Sequence, residues 1–455
     1  MNSDSITSGT VRKLGTATVV SALEALTAGV AIAGVCVLAA GLRVASSMES
    51  WVFLCLAGKP IIDLTWRWRL FELAAQRVNP QSVIGLVVPA LTFAAFLQRR
   101  RECANSKPVV AFLLLATISV AVNFSPEGVN ELLRLFAGVS FYFVAGAVLH
   151  DEQRFDRFCR WFVATVSIPV LLCYLQIAGT APFEYWDWID GEAVGRVSGT
   201  YQHPLGVIFF LLYAIPIALY LGDKYRNVPR IRWLAVLFIG VTLGAIVFTY
   251  DRTAYVALAI QFVLWFAIRG RFSRRYLIAG GVFLVGAAVL GSAWLATLYS
   301  ARVIGVWGPD FLRGRGANWI VFMSSLYGGG PVAWLIGRGA SVASGFVPGL
   351  GFYTSDEPHD DFIRLMHAYG IIGLALYLMI LVRIVREALL LRRKGSEYQR
   401  GLGAIALLVV PSILLFSVTT EPMRYPTGIW YLFALASIVQ VNADRIAGWR
   451  TRRSR

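Results

Sequence analysis

The side chains of this sequence whose types and spacing could do chemistry are few. His359 stands in Ser355-Asp356-Glu357-Pro358-His359-Asp360-Asp361, an imidazole among carboxylates at the start of an apolar run. Such a half-wet setting can keep the ring neutral and hydrogen-bonded to a carboxylate, as a general base requires. The same histidine could instead open a helix, with Asp360 or Asp361 as the cap. Arg252, in Thr249-Tyr250-Asp251-Arg252-Thr253-Ala254, lies between two apolar runs. A charge at that depth is costly and by default functional, unless it only pairs with Asp251 or a lipid headgroup. Arg313 and Arg315 lie in Leu312-Arg313-Gly314-Arg315-Gly316-Ala317-Asn318-Trp319; their planar guanidinium groups suit bidentate phosphate recognition, and solvated loop charges read alike. Arg196 and His203 share Arg196-Val197-Ser198-Gly199-Thr200-Tyr201-Gln202-His203-Pro204.

The elements that must position these groups follow from composition. Of 455 residues, 57% are hydrophobic and 15% charged, whereas ordinary globular chains are about 45–50% apolar and about 25% charged. The excess falls in blocks of roughly 16–25 residues, the length a helix needs to cross a hydrocarbon core. That pattern excludes a disordered chain, a disulfide-stapled secreted domain, a collagen-like fibre and an outer-membrane barrel, whose strands alternate. The net charge of +16 does not argue for nucleic acid. Its Lys and Arg crowd into short gaps such as Arg99–Arg101, Lys224–Arg232, Arg269–Arg275, Arg386–Lys394 and Arg445–Arg455, which is the positive-inside pattern. Five cysteines without CxxC spacing support neither a zinc site nor a disulfide framework. The first apolar block, Leu14 to Leu42, is too long for the core of a cleavable signal.

With the basic gaps placed in the cytoplasm, the expected architecture is an all-α polytopic membrane protein, one integral domain over 1–455 with both termini inside. Twelve spans are expected: Leu14–Leu42, Ser82–Leu97, Pro108–Phe124, Glu131–Leu149, Trp161–Gly179, Leu205–Gly222, Trp233–Thr249, Thr253–Ile268, Tyr276–Ala296, Asp361–Val382, Leu402–Val418 and Thr427–Val441. A further apolar stretch, Met48 to Trp66, is interrupted by Lys59, Pro60 and Asp63 and reads as re-entrant or interfacial backbone. Two outer loops stand out. Residues 180–204 mix acids with Tyr185, Trp186 and Trp188, aromatic faces on which sugar rings could stack. Residues 297–358, between spans nine and ten, form a loop far longer than the usual connection and so functional or separately folded. Within it Trp319, Phe322, Met323 and Leu326 recur at helical spacing, which predicts an amphipathic helix on the membrane surface or packing beneath the loop.

The spacing beyond His359 adds a resemblance. His359-Asp360, nine residues, then Gly370-Ile371-Ile372-Gly373 resembles the H-(N/S/Q)-x9-G-x-x-G pattern of the superfamily of O-antigen ligases and Wzy-type O-antigen and exopolysaccharide polymerases, its glycines allowing close helix packing. The segment from Arg196 to Pro204 resembles that family's R-x-S-G-T-F-x-H/N-P stretch. Thr249 to Ala254 resembles its T-x-S-R-G/T-A stretch, here with Asp251 in the serine position. Arg315 four residues before Trp319, then Gly337-Arg338-Gly339, resembles its R-x3-W and G-x-G elements. The likeness covers about Arg196 to Gly373, in order and on one face.

The resemblance implies a metal-independent, cofactor-free, inverting glycosyltransferase of the GT-C type in a bacterial inner membrane. Its donor would be an undecaprenyl-pyrophosphate-linked glycan and its acceptor a second glycan, at a periplasmic site. Arg252 and Arg315 would stabilise the departing diphosphate and His359 would activate the acceptor hydroxyl. Arg196, His203, Arg313 and Asp360 would bind substrate. A polymerase, with a chain-length regulator as partner, is expected ahead of a lipid A core or protein ligase, because the outer loops show no further docking domain. A transporter of an anionic substrate would also place arginines on the outer face; it would carry repeated halves, and none is evident.

Overall fold

Proline in the first turn or a side-chain cap opens the long helices, so the first four amides, which no intrahelical carbonyl can take, cost little. The computed structural model describes residues 48–67, 106–183, 185–189, 192–269, 315–339 and 358–453, with short pieces between 71 and 104 and between 346 and 353. Met48–Ala57 (α1) and Lys59–Asp63 (α2) come first. Lys107–Val122 (α3), Pro126–Val148 (α4), Pro204–Lys224 (α6) and Pro229–Val247 (α7) each place proline in the first turn. Glu152–Ile177 (α5) is capped by Asp151, Arg252–Ile268 (α8) by Asp251 and Asp361–Lys394 (α11) by Asp360. Glu397–Thr419 (α12) starts on a reciprocal capping box between Ser396 and Gln399. Arg315–Gly328 (α9), Gly330–Ile336 (α10) and Pro426–Arg453 (α13) are the other long helices and the short return among the described residues. Three small antiparallel ribbons are found among the described residues, and the one that concerns the site pairs Tyr185–Ile189 (β1) with Glu192–Arg196 (β2).

Six of the described helices are long and apolar enough to cross a bilayer: α4, α5, α6, α7, α11 and α12. A seventh crossing results if Asn318–Gly328 and Gly330–Ile336, bent by 119°, count as one. The protein is thus a helical membrane protein. Helices occupy every expected span from Pro108 to Ile268 and from Asp361 onward, and several run past the apolar stretch: α5 starts at Glu152 and α11 continues to Lys394. The apolar window marks where hydrocarbon fits, while backbone hydrogen bonding carries the helix into the headgroups. The expected spans Leu14–Leu42 and Tyr276–Ala296 lie outside the described residues, as does most of Ser82–Leu97.

The core is built around α6, whose residues from Pro204 to Ala218 are all buried. Helix α13 lies along α4, and α12 packs between α11 and α8. At the margin, α7 exposes Trp233, Leu234 and Leu237, apolar groups that hydrocarbon can cover. Consecutive helices alternate in direction, and contacts fix which ends meet. At one end Tyr398 bonds the carbonyl of Leu149, Lys224 pairs with Glu152 at 2.6 Å, and Arg392 bonds the carbonyl of Ile268. The described connections at 123–125, 178–183, 197–203, 248–251, 337–339, 358–360 and 420–425 lie at the other, joined by contacts such as Asn123 to Gly337, Arg196 to Thr249, His203 to Tyr425 and His359 to Glu421.

Two elements of this second end differ from a plain bundle. The Met48–Trp66 stretch is broken at Gly58 into α1 and α2, and its Lys59 and Asp63 pair with each other at 1% exposure. The amphipathic stretch packs by its expected apolar face. Phe322 and Leu326 are buried, and α9 dips along α11 before α10 returns, leaving Ile320, Tyr327 and Val332 outward. Apolar residues lie on both faces: one side meets the bundle, and the other is a face that hydrocarbon can cover. The return is possible because Gly337 and Gly370 both take left-handed backbone, at φ 82° and 68°. A Cβ at Gly370 would stand 2.2 Å from the Leu335 carbonyl oxygen, and one at Gly337 would stand 2.3 Å from that of Ala368. Gly370 thus breaks α11 and also gives the close approach to a neighbouring helix that was expected of it. The carbonyls of His367 and Ala368 are taken instead by the Arg338 amide at 2.8 Å and the Ser119 hydroxyl at 2.7 Å.

Candidate functional site

The ribbon sets the first half of the site. Its register pairs Tyr185 with Arg196, so both side chains emerge on the same face, and the Arg196 guanidinium sits 5.4 Å from the Tyr185 ring. Arg196 also donates from Nε to the Thr249 carbonyl at 2.7 Å, and the Val197 amide donates to the Phe248 carbonyl at 3.3 Å. The following segment is anchored from below, where the Gln176 side-chain oxygen accepts the amides of Ser198 and Gly199 at 3.0 Å each. His203 ends the segment as the cap of α6, its Nδ1 accepting the Leu205 amide at 3.1 Å. With Nδ1 as acceptor, the neutral ring carries its proton on Nε2. The ring lies 4.4 Å from Tyr185 and 6.1 Å from Tyr425.

The second half is the turn before α11. His359 holds φ 53°, a left-handed conformation that costs a non-glycine residue about 1–3 kcal/mol and persists only where the surroundings over-determine it. The surroundings do so. The His359 amide donates to Glu421 at 2.9 Å, and the preceding Pro358 carbonyl accepts from the Trp319 indole at 2.8 Å. Asp361 returns the contact, its carboxylate accepting the Met423 amide at 3.1 Å and the Ser417 hydroxyl at 3.1 Å. The turn at 359–361 and the turn at 421–423 are stapled reciprocally, each offering an acid to the other's backbone.

Beneath them runs a charge network. Arg364 bonds Glu131 at 2.6 Å and lies 3.8 Å from Glu421; Arg424 lies 3.6 Å from Glu421, and Arg134 bonds Glu131 at 2.7 Å. Glu421 is 3% exposed, so its charge is sustained by the two guanidinium groups. Three arginines and two carboxylates thus line the His359 end of the bundle without having been singled out in the sequence. A signal was there, since Arg134, Arg364 and Arg424 sit at the depleted ends of apolar spans, as Arg252 does. Glu421 shows its role only once the fold brings it to His359.

Among the residues expected to act, Arg196 and His203 come together through Tyr185, while His359 and Asp360 share one turn. A run of contacts joins the two halves: Thr249 to Arg196, Arg196 to Tyr185, Tyr185 to His203, His203 to Tyr425, and thence along the chain to Glu421 and His359. Arg252 opens α8 three residues after Thr249, with its side chain exposed. Tyr250, in the same turn, also has positive φ, 53°. Arg315 begins α9 one turn before Trp319, which puts its backbone on the His359 side of the bundle; Arg313 lies outside the described residues.

Asp360 is engaged locally, accepting the Ile363 amide at 3.0 Å as the cap of α11. Burial pushes its carboxyl above the ordinary range, against the amides of Ile363 and Phe362. Burial likewise raises the phenols of Tyr250 and of Tyr201, the latter also facing the Asp63 charge. Of the three aromatics on which sugar rings could stack, strand alternation parts Tyr185 from Trp186: Tyr185 turns in toward His203, while Trp186 is 54% exposed and touches Phe183. No known family model matches the chain, and no curated protein matches it.

Proposed function

We propose that the chain is an inverting, metal-independent glycosyltransferase of GT-C type that lengthens an undecaprenyl-pyrophosphate-linked oligosaccharide at the periplasmic face of a bacterial inner membrane. On this reading it is an exopolysaccharide or O-antigen polymerase with twelve spans, both termini cytoplasmic and a chain-length regulator as partner. The acceptor hydroxyl oxygen attacks the anomeric carbon, the bond from that carbon to the pyrophosphate oxygen breaks, and the hydroxyl proton passes to His359. Polyprenyl pyrophosphate leaves with its charge met by Arg252 and Arg315. Preorganised cations at a departing diphosphate act where charge develops, and a positioned base contributes about 10² to 10⁴ in rate. Arg196, His203, Arg313 and Asp360 border the donor and acceptor.

One observation carries the reading. Among the described residues the two non-glycine positions with positive φ are Tyr250 and His359, and they fall in the Arg252 turn and at the proposed base. Strained backbone of this kind clusters at functional sites. The test is to incubate the purified full-length protein with an undecaprenyl-pyrophosphate-linked oligosaccharide and resolve the glycans by length. Longer products from the wild type and none from His359→Ala are expected; full activity of His359→Ala would overturn the role of the base.

A second reading, a transporter of an anionic substrate, is favoured by the buried Lys59–Asp63 pair in a broken helix and by the bent helices at Gly329 and Gly370, features that mark substrate paths in transporters. Uptake of a labelled oligosaccharide phosphate into proteoliposomes, without glycan extension, would decide for it.

A further inference from the structure

The left-handed conformation of His359 is held from two directions that are remote in sequence. Trp319 fixes the carbonyl before it and Glu421 fixes its own amide. Glu421 is the more consequential of the two, because its carboxylate is at once the acceptor for His359 and the counter-ion of Arg364 and Arg424. It reaches the turn from the α12–α13 connection, which Asp361 in turn holds through the Met423 amide. In a left-handed residue the Cβ points in a direction no extended or right-handed residue reproduces. Release of the amide would let position 359 relax to negative φ and swing the imidazole away.

We infer that Glu421 is a positioning residue that aims the His359 imidazole by gripping its backbone. The inference rests on the reading of His359 as the base, yet it concerns the conformation of that residue and can fail separately. Glu421 bonds the His359 backbone and pairs with two arginines, and the role proposed for it is exerted through His359.

The test uses full-length protein in detergent and two variants chosen to fold. Glu421→Gln keeps the length and an acceptor oxygen; Glu421→Asp keeps the charge but falls one methylene short. Diethyl pyrocarbonate modification of His359 is followed by peptide mass spectrometry across pH, with His150 at the opposite end as the internal reference. Glu421→Gln, which keeps an acceptor at full reach, is expected to modify His359 at a rate closer to wild type than Glu421→Asp does. Glu421→Asp is expected to raise that rate about tenfold, the loss of one charge-assisted hydrogen bond, and to shift its pH profile, with His150 unchanged. A wild-type rate and profile at His359 in Glu421→Asp would overturn the inference. Glycan extension by the same preparations separates the two claims: full activity of His359→Ala removes the base, whatever the labelling shows.

Discussion

Arg196 donates from Nε to the carbonyl oxygen of Thr249 at 2.7 Å, joining loops 53 residues apart in the chain. The bond seats the turn that leads into Arg252, whereas the Arg252 side chain is itself exposed. The two arginines should therefore fail differently. Arg196→Ala should destabilise the protein by about 1–3 kcal/mol, the value of a charged hydrogen bond, seen as a lower unfolding midpoint in detergent. Arg252→Ala should leave that midpoint within about 0.5 kcal/mol while reducing glycan extension about 10²-fold or more. A stable, fully active Arg252→Ala would leave the diphosphate without its proposed partner.

Buried charge at the His359 end of the bundle gives a second expectation. Arg364 is 18% exposed and Glu131 17%, at 2.6 Å from each other. Removing one partner of such a pair leaves the other charge stranded, at about 3–5 kcal/mol, while replacing both by apolar groups is much milder. Arg364→Met should be strongly destabilising and Glu131→Leu with Arg364→Met far less so, by denaturant titration in mixed micelles. Equal loss in the two would show that Arg364 answers to Glu421 rather than to Glu131.

What the sequence discloses and what it hides divide along physical lines. Apolar run length is a local property, and it located the helices from Pro108 to Ile268 and from Asp361 onward. The motifs around Arg196, Thr249 and His359 likewise gathered at one end, because alternate helix ends must meet. Three things were not local. The dip of α9 and α10 depends on which of two apolar faces meets α11, and Trp319, Phe322, Met323 and Leu326 read the same either way. The split of Tyr185 from Trp186 needed the strand register. The grip of Glu421 on His359 spans 62 residues and joins an acid to a backbone amide, a group every residue has.

Gly370 should be intolerant. Its φ of 68° and the Leu335 carbonyl oxygen 2.2 Å from an added Cβ combine backbone strain with a clash against backbone that cannot rotate away. Gly370→Ala should cost about 2–4 kcal/mol. Gly240, on the outward side of α7 with nothing within 4 Å of an added Cβ, is the matched control; Gly240→Ala should be neutral or gain up to about 1 kcal/mol. The comparison is read as the monodisperse fraction after heating.

Asp360 makes a pH-dependent contribution whose sign follows from its raised carboxyl. A folded-state value above the unfolded one means that the folded protein binds the proton more tightly, so the group favours folding at low pH. That contribution is lost as pH rises from the ordinary carboxylate range through the raised value. Asp360→Asn keeps a competent cap and removes the ionisation. It should flatten the stability profile on that rise and leave the variant at least as stable as wild type at pH 7. Asp360→Ala should instead lose about 1 kcal/mol of cap at every pH. A steeper profile in the Asn variant would contradict the burial argument.

The two ends of the bundle should face opposite compartments, and their charges say which. One end carries Arg154, Arg157, Arg160, Lys224, Arg226, Arg230, Arg232, Arg392, Arg393 and Lys394. At the other, Arg134 and Arg364 bond Glu131, Arg424 faces Glu421, and Arg196 is bound to backbone. An excess of Lys and Arg at the first end fits the cytoplasmic side, so the site end is expected outside. Single cysteines at Trp186 and Ser396, both at exposed positions, test it in a background lacking Cys36 and Cys103; Cys55, Cys159 and Cys173 are buried. A membrane-impermeant maleimide added to intact cells should label Trp186→Cys, and should label Ser396→Cys only after permeabilisation. The reverse pattern would place the imidazole and its arginines in the cytoplasm, where a periplasmic donor glycan never reaches them.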